Sequence, residues 1–334
     1  MDYSQLRPGD ILLTTSIEPE SWSVRFGTKS DISHAMLYVT STSVIDSTGD
    51  GVHARNLQKM FYGDSCAIYG LRLKEPLTTE QLSKTIAYAR AETGTQYSLI
   101  EAVRSLKAPR AEGGRKQFCS RLIARAYAAA GIKLFENPDF CTPDQLKQSS
   151  LLSLLPCPAV SVSDEEYRDI EAQHKGVAGM VRVTNDFLEE VRRLSPKIQS
   201  INDAFQFLVH HPEVDDTIFE ALDSSGFLDY WREQLELFPW RYNLDVMEDF
   251  SETNQCGADI STYCEETLAD DAAGTFKHWK DNQLTSKAQA RQFPLRSFVA
   301  MAKLYENLVG SDQTRVNVAR EWLASHPNER TPMP

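Results

Sequence analysis

Residues 119–131 read CSRLIARAYAAAG, and the reading of this stretch decides the fold. Leu122, Ile123, Ala126, Tyr127 and Ala130 recur at helical spacing and form one apolar stripe. A helix striped in this way packs against a sheet, and its first residue here is a cysteine. At a helix N-terminus the unpaired N–H groups and the macrodipole favour thiolate over thiol, and the same N–H groups can hold an oxyanion. Arg115 and Lys116, just upstream, push in the same direction. A cysteine beside Phe118 on an apolar helix equally suits a small buried hydrophobe, so Cys119 gains a chemical role only from its company.

That company lies upstream, on strands. After the turn Pro8-Gly9-Asp10, ILLTT (11–15) is an apolar run suited to a buried strand. HAMLYV (34–39) alternates, with Ala35, Leu37 and Val39 on one face and His34, Met36 and Tyr38 on the other. SVIDST (43–48) and GVHARNL (51–57), separated by Gly49-Asp50-Gly51, and then CAIYGLRL (66–73) complete a small, mostly antiparallel sheet. His34 is thus on one strand and Asp46 on the next. A cysteine nucleophile, a base and an orienting carboxylate are what thiolate hydrolysis of an acyl group requires, and here the base comes first in the chain.

The hairpin register tests this grouping. A three-residue loop at Thr40 to Thr42 pairs Val39 with Ser43 and sets Asp46 opposite Met36, diagonal to His34; a slip of one residue puts Asp46 on the wrong face. Asp50 in the following turn and His53 on the next strand compete for the third role. Asp46 ranks first because Val44 and Ile45 flank it, where an acid is costly without a partner.

Thr78 is suited to cap the helix TTEQLSKTIAYARAET (78–93), and Gly94 to stop it. Residues 104–116, RSLKAPRAEGGRK, carry five basic side chains, and Glu112 is the only acid among them. They read as a basic loop leading to Cys119. LLPCPAVSVS (154–163) has the composition of a linker, and Ser163 with Glu166 suits a capping box that opens a new helix. Beyond it the pattern is helical, as in Tyr167, Ile170, His174 and Val177, with breaks at Pro212, Gly226, Pro239 and Pro294. His210-His211 before Pro212 reads as a helix end. The expected organisation is α+β: a first domain over 1–158 with a small antiparallel sheet and packed helices, then an acidic all-α domain over 163–334.

Charge follows the same division. Residues 1–162 hold 18 Lys and Arg against 16 Asp and Glu, and residues 163–334 hold 17 against 31. The second part therefore lacks the clustered Lys and Arg that a nucleic acid or anionic membrane needs; solvated helix faces or a protein-docking surface remain. Six cysteines form no CxxC pair, which suits reduced thiols. The start MDYSQLRPGDILL has no Sec-type signal pattern, and no run of about 18 apolar residues occurs. A cytoplasmic protein as synthesised is expected, with a non-Sec route if it is delivered elsewhere. No glycine-rich nucleotide motif and no metal-ligand histidine spacing are present, so neither cofactor nor metal is expected.

Four segments in this order, LRPGDILLTTS, SDISHAMLYV, VIDSTGDGVHARNL and FCSRLIARAYAAAGI, resemble the circularly permuted NlpC-type, papain-like cysteine hydrolases of the YiiX and YebB group. The resemblance covers about the first 155 residues, including CTPDQLKQS after the cysteine helix. It implies a permuted papain-like fold in which Cys119 attacks, His34 is the base and the acid on the following strand orients it. That group commonly has Glu where this chain has Asp46. Ser120 after the cysteine fits it better than the Asn-Cys-Glu-His pattern of the lecithin:retinol acyltransferase family. The expected activity is hydrolysis of an amide bond of the cell-wall peptide or isopeptide type. The same residues would serve a lipid ester or thioester, with the basic loop beside Trp22 and Phe26 meeting anionic head groups. A non-catalytic adaptor that uses the helical half to bind a protein partner is the third reading.

Overall fold

The computed structural model describes residues 5–15, 32–40, 42–63, 66–97, 116–156, 159–163, 167–168 and 175–327. The basic loop 104–115, Trp22, Phe26, Cys157, Pro158, Glu166, Ile170 and His174 lie outside the described residues.

The chain divides into two compact units, Met1–Phe207 and Leu208–Pro334. In the first, β1 (Ile11–Thr14), β2 (His34–Thr40), β3 (Ser43–Thr48), β4 (Gly51–Asn56), β5 (Ile68–Leu73) and β6 (Leu152–Leu154) form one sheet in the order β4-β3-β2-β1-β5-β6. Every pairing in it is antiparallel. Its helices are α1 (Thr79–Ala91), α2 (Cys119–Ala129), α3 (Pro143–Gln148), α4 (Lys175–Arg192) and the start of α5 (Ile201–His210). The permuted papain-like expectation, a small antiparallel sheet with packed helices, matches this unit.

The sheet is apolar on both sides, for different reasons. Ile11, Leu13, Ala35, Leu37, Val39 and Ile45 lie in one core with Leu122, Ile123, Ala126 and Tyr127 of α2. Leu12, Met36, Tyr38, Val44 and Leu57 form a second cluster. The alternation of β2 is therefore real, yet its five central residues are all buried, and His34 stands out by being the strand's first residue. The Tyr127 hydroxyl donates to the Gly9 carbonyl, fixing α2 to the turn before β1.

Register decides where the polar residues go. Leu37 pairs with Ile45 and Tyr38 with Val44, and this register continued sets Asp46 across from Met36, on the His34 side. The turn differs from the expected one: Thr40, not Val39, pairs with Ser43, and the extra residue is taken up as a bulge beyond Tyr38 with Thr42 at φ 56°. On the other side of β3, Asp46 pairs with His53.

Thr78 caps α1 through a full capping box with Gln81. Gly94 follows at φ 85°, and its N–H donates to Val52 O. A Cβ at Gly94 would lie 2.1 Å from Leu188 of α4, so glycine is required there. Arg192 donates to Gly94 O at 2.7 Å and Asn185 to Asp50 O at 3.1 Å. These contacts explain why the first unit extends past the proline-rich segment at 154–163 to include α4.

The second unit contains α6 (Asp215–Ser224), α7 (Trp231–Leu237), α8 (Leu244–Asn254), α9 (Gly257–Ala273), α10 (Lys277–Gln292) and α11 (Arg296–Ser325). Met247, Ile260, Cys264, Val318, Ala319, Trp322 and Leu323 form a core, within which Trp322 Nε1 donates to Ser261 Oγ at 3.0 Å. The buried Asp215 carboxylate accepts the backbone N–H groups of Arg296 and Ser297 and so caps the longest helix. Among the described residues, no helix is long and apolar enough to cross a membrane.

Candidate active site

Cys119 opens α2 and is 5% exposed. Phe118 takes the N-cap position in extended conformation and makes no side-chain cap hydrogen bond to the first-turn N–H groups. The helix start is clamped from both sides. Gln117 donates through its side chain to Glu92 at 2.9 Å and through its backbone to Gln96 O. Ser120 Oγ donates to Cys141 O at 2.8 Å.

The buried Arg121 guanidinium reaches Asp139 O and Lys116 O and lies over the Phe118 and Phe140 rings. Arg125 adds an ion pair to Asp139 at 2.7 Å. The segment after the helix, ending in the Thr142–Gln145 capping box that starts α3, is thus locked to α2.

His34 Nε2 lies 2.7 Å from Asp46 Oδ2, and the His34 ring is close enough to the Cys119 side chain for the two to interact. Because Nε2 is taken up by Asp46, the other ring nitrogen, Nδ1, is the one left for sulfur. Asp46 is fully buried, and His34 is 12% exposed. Burial, the largest single influence on His34, favours the neutral ring. The hydrogen bonds to Asp46 and Cys119, together with their charges, outweigh it and raise the His34 pKa from its ordinary 6.5 to about 10.

The three sequence candidates therefore meet, while the two rivals for the third position do not join them. Asp50 is exposed in the β3–β4 turn. His53 is buried and directs Nε2 to Asp50 O at 3.0 Å, and burial lowers its pKa. The Lys116 side chain is exposed, and its carbonyl serves Arg121.

Three neighbours escaped the sequence reading. Arg55 Nε lies 3.1 Å from Asp46 Oδ1, and its Nη2 donates to Thr48 Oγ1 at 2.7 Å. Tyr62 lies near Thr14, the residue paired with His34, and burial pushes its hydroxyl up to about 12. Gln117 is fully buried two residues before the cysteine. Arg55 had a signal, since in β4 it shares a face with His53 and hence with Asp46; Tyr62 and Gln117 had none. Among the described residues no cluster of three or more His, Cys, Asp or Glu could hold a metal ion.

Residues 5–157 match the model of the permuted papain-like amidase enzymes, the YaeF/YiiX, C92 family. The probable lipoprotein peptidase YaeF of Escherichia coli (strain K12) is 30% identical over 94 residues. That alignment spans 28% of this chain and only 33% of the relative's length. The crystal structure of the metalloprotein yiiX from Escherichia coli O157:H7 is 18% identical, covers 46% of this chain and 98% of its own, and gives a TM-score of 0.37. Over residues 5–157 the chain is thus similar to the permuted papain-like amidase enzymes of the YaeF/YiiX, C92 family.

Proposed function

We propose that the first unit is a cysteine hydrolase that cleaves an amide bond of a peptide or isopeptide. The observation that carries the reading is the single imidazole hydrogen-bonded to a buried carboxylate and lying beside Cys119. The family description, amidase, and the relative's name, peptidase, support the amide class over an ester.

An imidazole that holds its proton up to about pH 10 presents a positive charge beside the nucleophile. The Cys119 thiolate attacks the carbonyl carbon, and N–H groups at the start of α2, where Phe118 offers no side-chain cap, receive the oxyanion. Imidazolium Nδ1–H then gives its proton to the leaving nitrogen, and a thioester with Cys119 remains. The ring, now neutral, takes a proton from water; hydroxide adds to the thioester, and collapse returns thiolate and imidazolium. Asp46 keeps the ring in place and balances its charge throughout. Gln117, Ser120 and Arg121 hold the helix start through backbone and side-chain contacts, which keeps the sulfur in register with the ring.

The test is a parallel assay of wild type and Cys119→Ala on peptidoglycan fragments, on phospholipid and on an acyl thioester. Release of a peptide amine by wild type alone supports the reading. Activity retained by Cys119→Ala removes the nucleophile, and turnover confined to esters removes the amide class.

A further inference from the structure

Asp46 stands between two histidines. Its Oδ2 meets His34 on β2, and the strand pairing sets His53 of β4 directly across from it. Its other oxygen, Oδ1, is buried and accepts no hydrogen bond among the described residues. The group beside Oδ1 is Arg55 Nε at 3.1 Å, and Arg55 is held in place by Thr48 Oγ1, two residues along β3 from Asp46. The acid is 0% exposed and the arginine 26%, so this cation bridges a sealed carboxylate and the surface.

We propose, resting on the cysteine-hydrolase reading above, that Arg55 is a positioning residue for that reaction. It commits the Asp46 carboxylate to His34 and keeps His53 out of the pair. A buried carboxylate oxygen with neither hydrogen bond nor cation is costly. Without Arg55, Asp46 relieves that cost by turning toward the ring across the strand pair or by binding a proton, and either change takes Oδ2 from His34.

The charged and titratable groups around Asp46 are His34 from β2, His53 and Arg55 from β4, and Tyr62 from the segment after it; Cys119 lies beyond His34. Burial does most to keep His53 neutral. Asp46 and Asp50 pull the other way, and Arg55 opposes them.

The experiment measures alkylation of Cys119 by iodoacetamide near pH 6 in the full-length protein, quantified on the peptide by mass spectrometry, with Cys119→Ala as background. Circular dichroism and melting verify the fold of each variant. Arg55→Gln is expected to slow alkylation about tenfold to hundredfold through misorientation of the pair. Arg55→Lys, which restores a cation without the second arm to Thr48, is expected to react at least about fivefold faster than Arg55→Gln. Removing the competing ring, in the double variant Arg55→Gln with His53→Gln, is expected to recover part of the loss.

Alkylation of folded Arg55→Gln at the wild-type rate overturns the proposal, as does Arg55→Lys reacting no faster than Arg55→Gln. If Arg55→Gln does not fold, Arg55→Lys decides: a rate within about tenfold of wild type supports the proposal, and a larger loss in a folded protein overturns it. If Cys119 of wild type reacts no faster than the other thiols, the hydrolase reading falls first and takes this proposal with it.

Discussion

At the scale of single residues, the five described cysteines sit in contrasting surroundings. Burial pushes the Cys141 and Cys264 thiols up to about 12, whereas Cys119 faces a ring that stays protonated to about pH 10. Iodoacetamide near pH 6 should therefore modify Cys119 first and Cys141 and Cys264 last; mass spectrometry of a time course reads the order, and uniform slow labelling would count against an activated thiol. The same histidine couples stability to pH. Its folded pKa lies above its unfolded value, so the contribution is fully present below about pH 6.5 and is lost as pH rises through about 10. The gap in urea midpoint between wild type and His34→Gln should shrink across that window. That Cys119, His34 and Asp46 meet was legible because each carries chemistry in a local pattern: a helix start, a strand with alternating faces, an acid between apolar neighbours. Arg55 was not singled out, because its role depends on which oxygen of Asp46 is left over, and only coordinates reveal that.

At the scale of elements, the apolar stripe of α2 and the Thr78 cap were readable because helical period and capping chemistry are local. Two features were not. The three-residue β6 lies in LSL just before a proline, too short for any period to show, and it forms only by pairing with Leu71–Leu73 of β5. The bulge near Thr40 replaced the expected three-residue loop, yet Asp46 kept its side of the sheet because the shift falls beyond Tyr38, toward the turn. Glycine at 94 yields a prediction at this scale. Alanine there must hold φ 85° and place its Cβ 2.1 Å from Leu188, which should cost about 1–3 kcal/mol in chemical denaturation. A loss below about 0.5 kcal/mol would show that α4 does not press on this turn in solution.

At the scale of the whole chain, composition separated a near-neutral part from an acidic helical one, and the second unit is built of helices broken near the expected prolines and glycine. Composition placed the boundary at the proline-rich segment, because linkers announce themselves by residue type. The packing of α4 is tertiary and leaves no such mark. Truncation tests its weight: a fragment ending at 210, where α5 ends, should keep the wild-type alkylation rate of Cys119 and a cooperative melt. A fragment ending at 162 should melt earlier, having lost Leu188 from Gly94, Asn185 from Asp50 and Arg192 from Gly94. Equal melting of the two fragments would remove α4 from the first unit. The reciprocal bonds Val52 N–H to Thr95 O and Gly94 N–H to Val52 O join the strand after Asp46 to the same turn that Arg192 grips. Amide protons on both sides of that junction then belong to one opening event, so deuterium should enter Val52, Gly94 and the adjoining face of α4 with a shared protection factor. The time for which the acid behind His34 stays sealed from water is then set by a helix that lies outside the segment matched to the family.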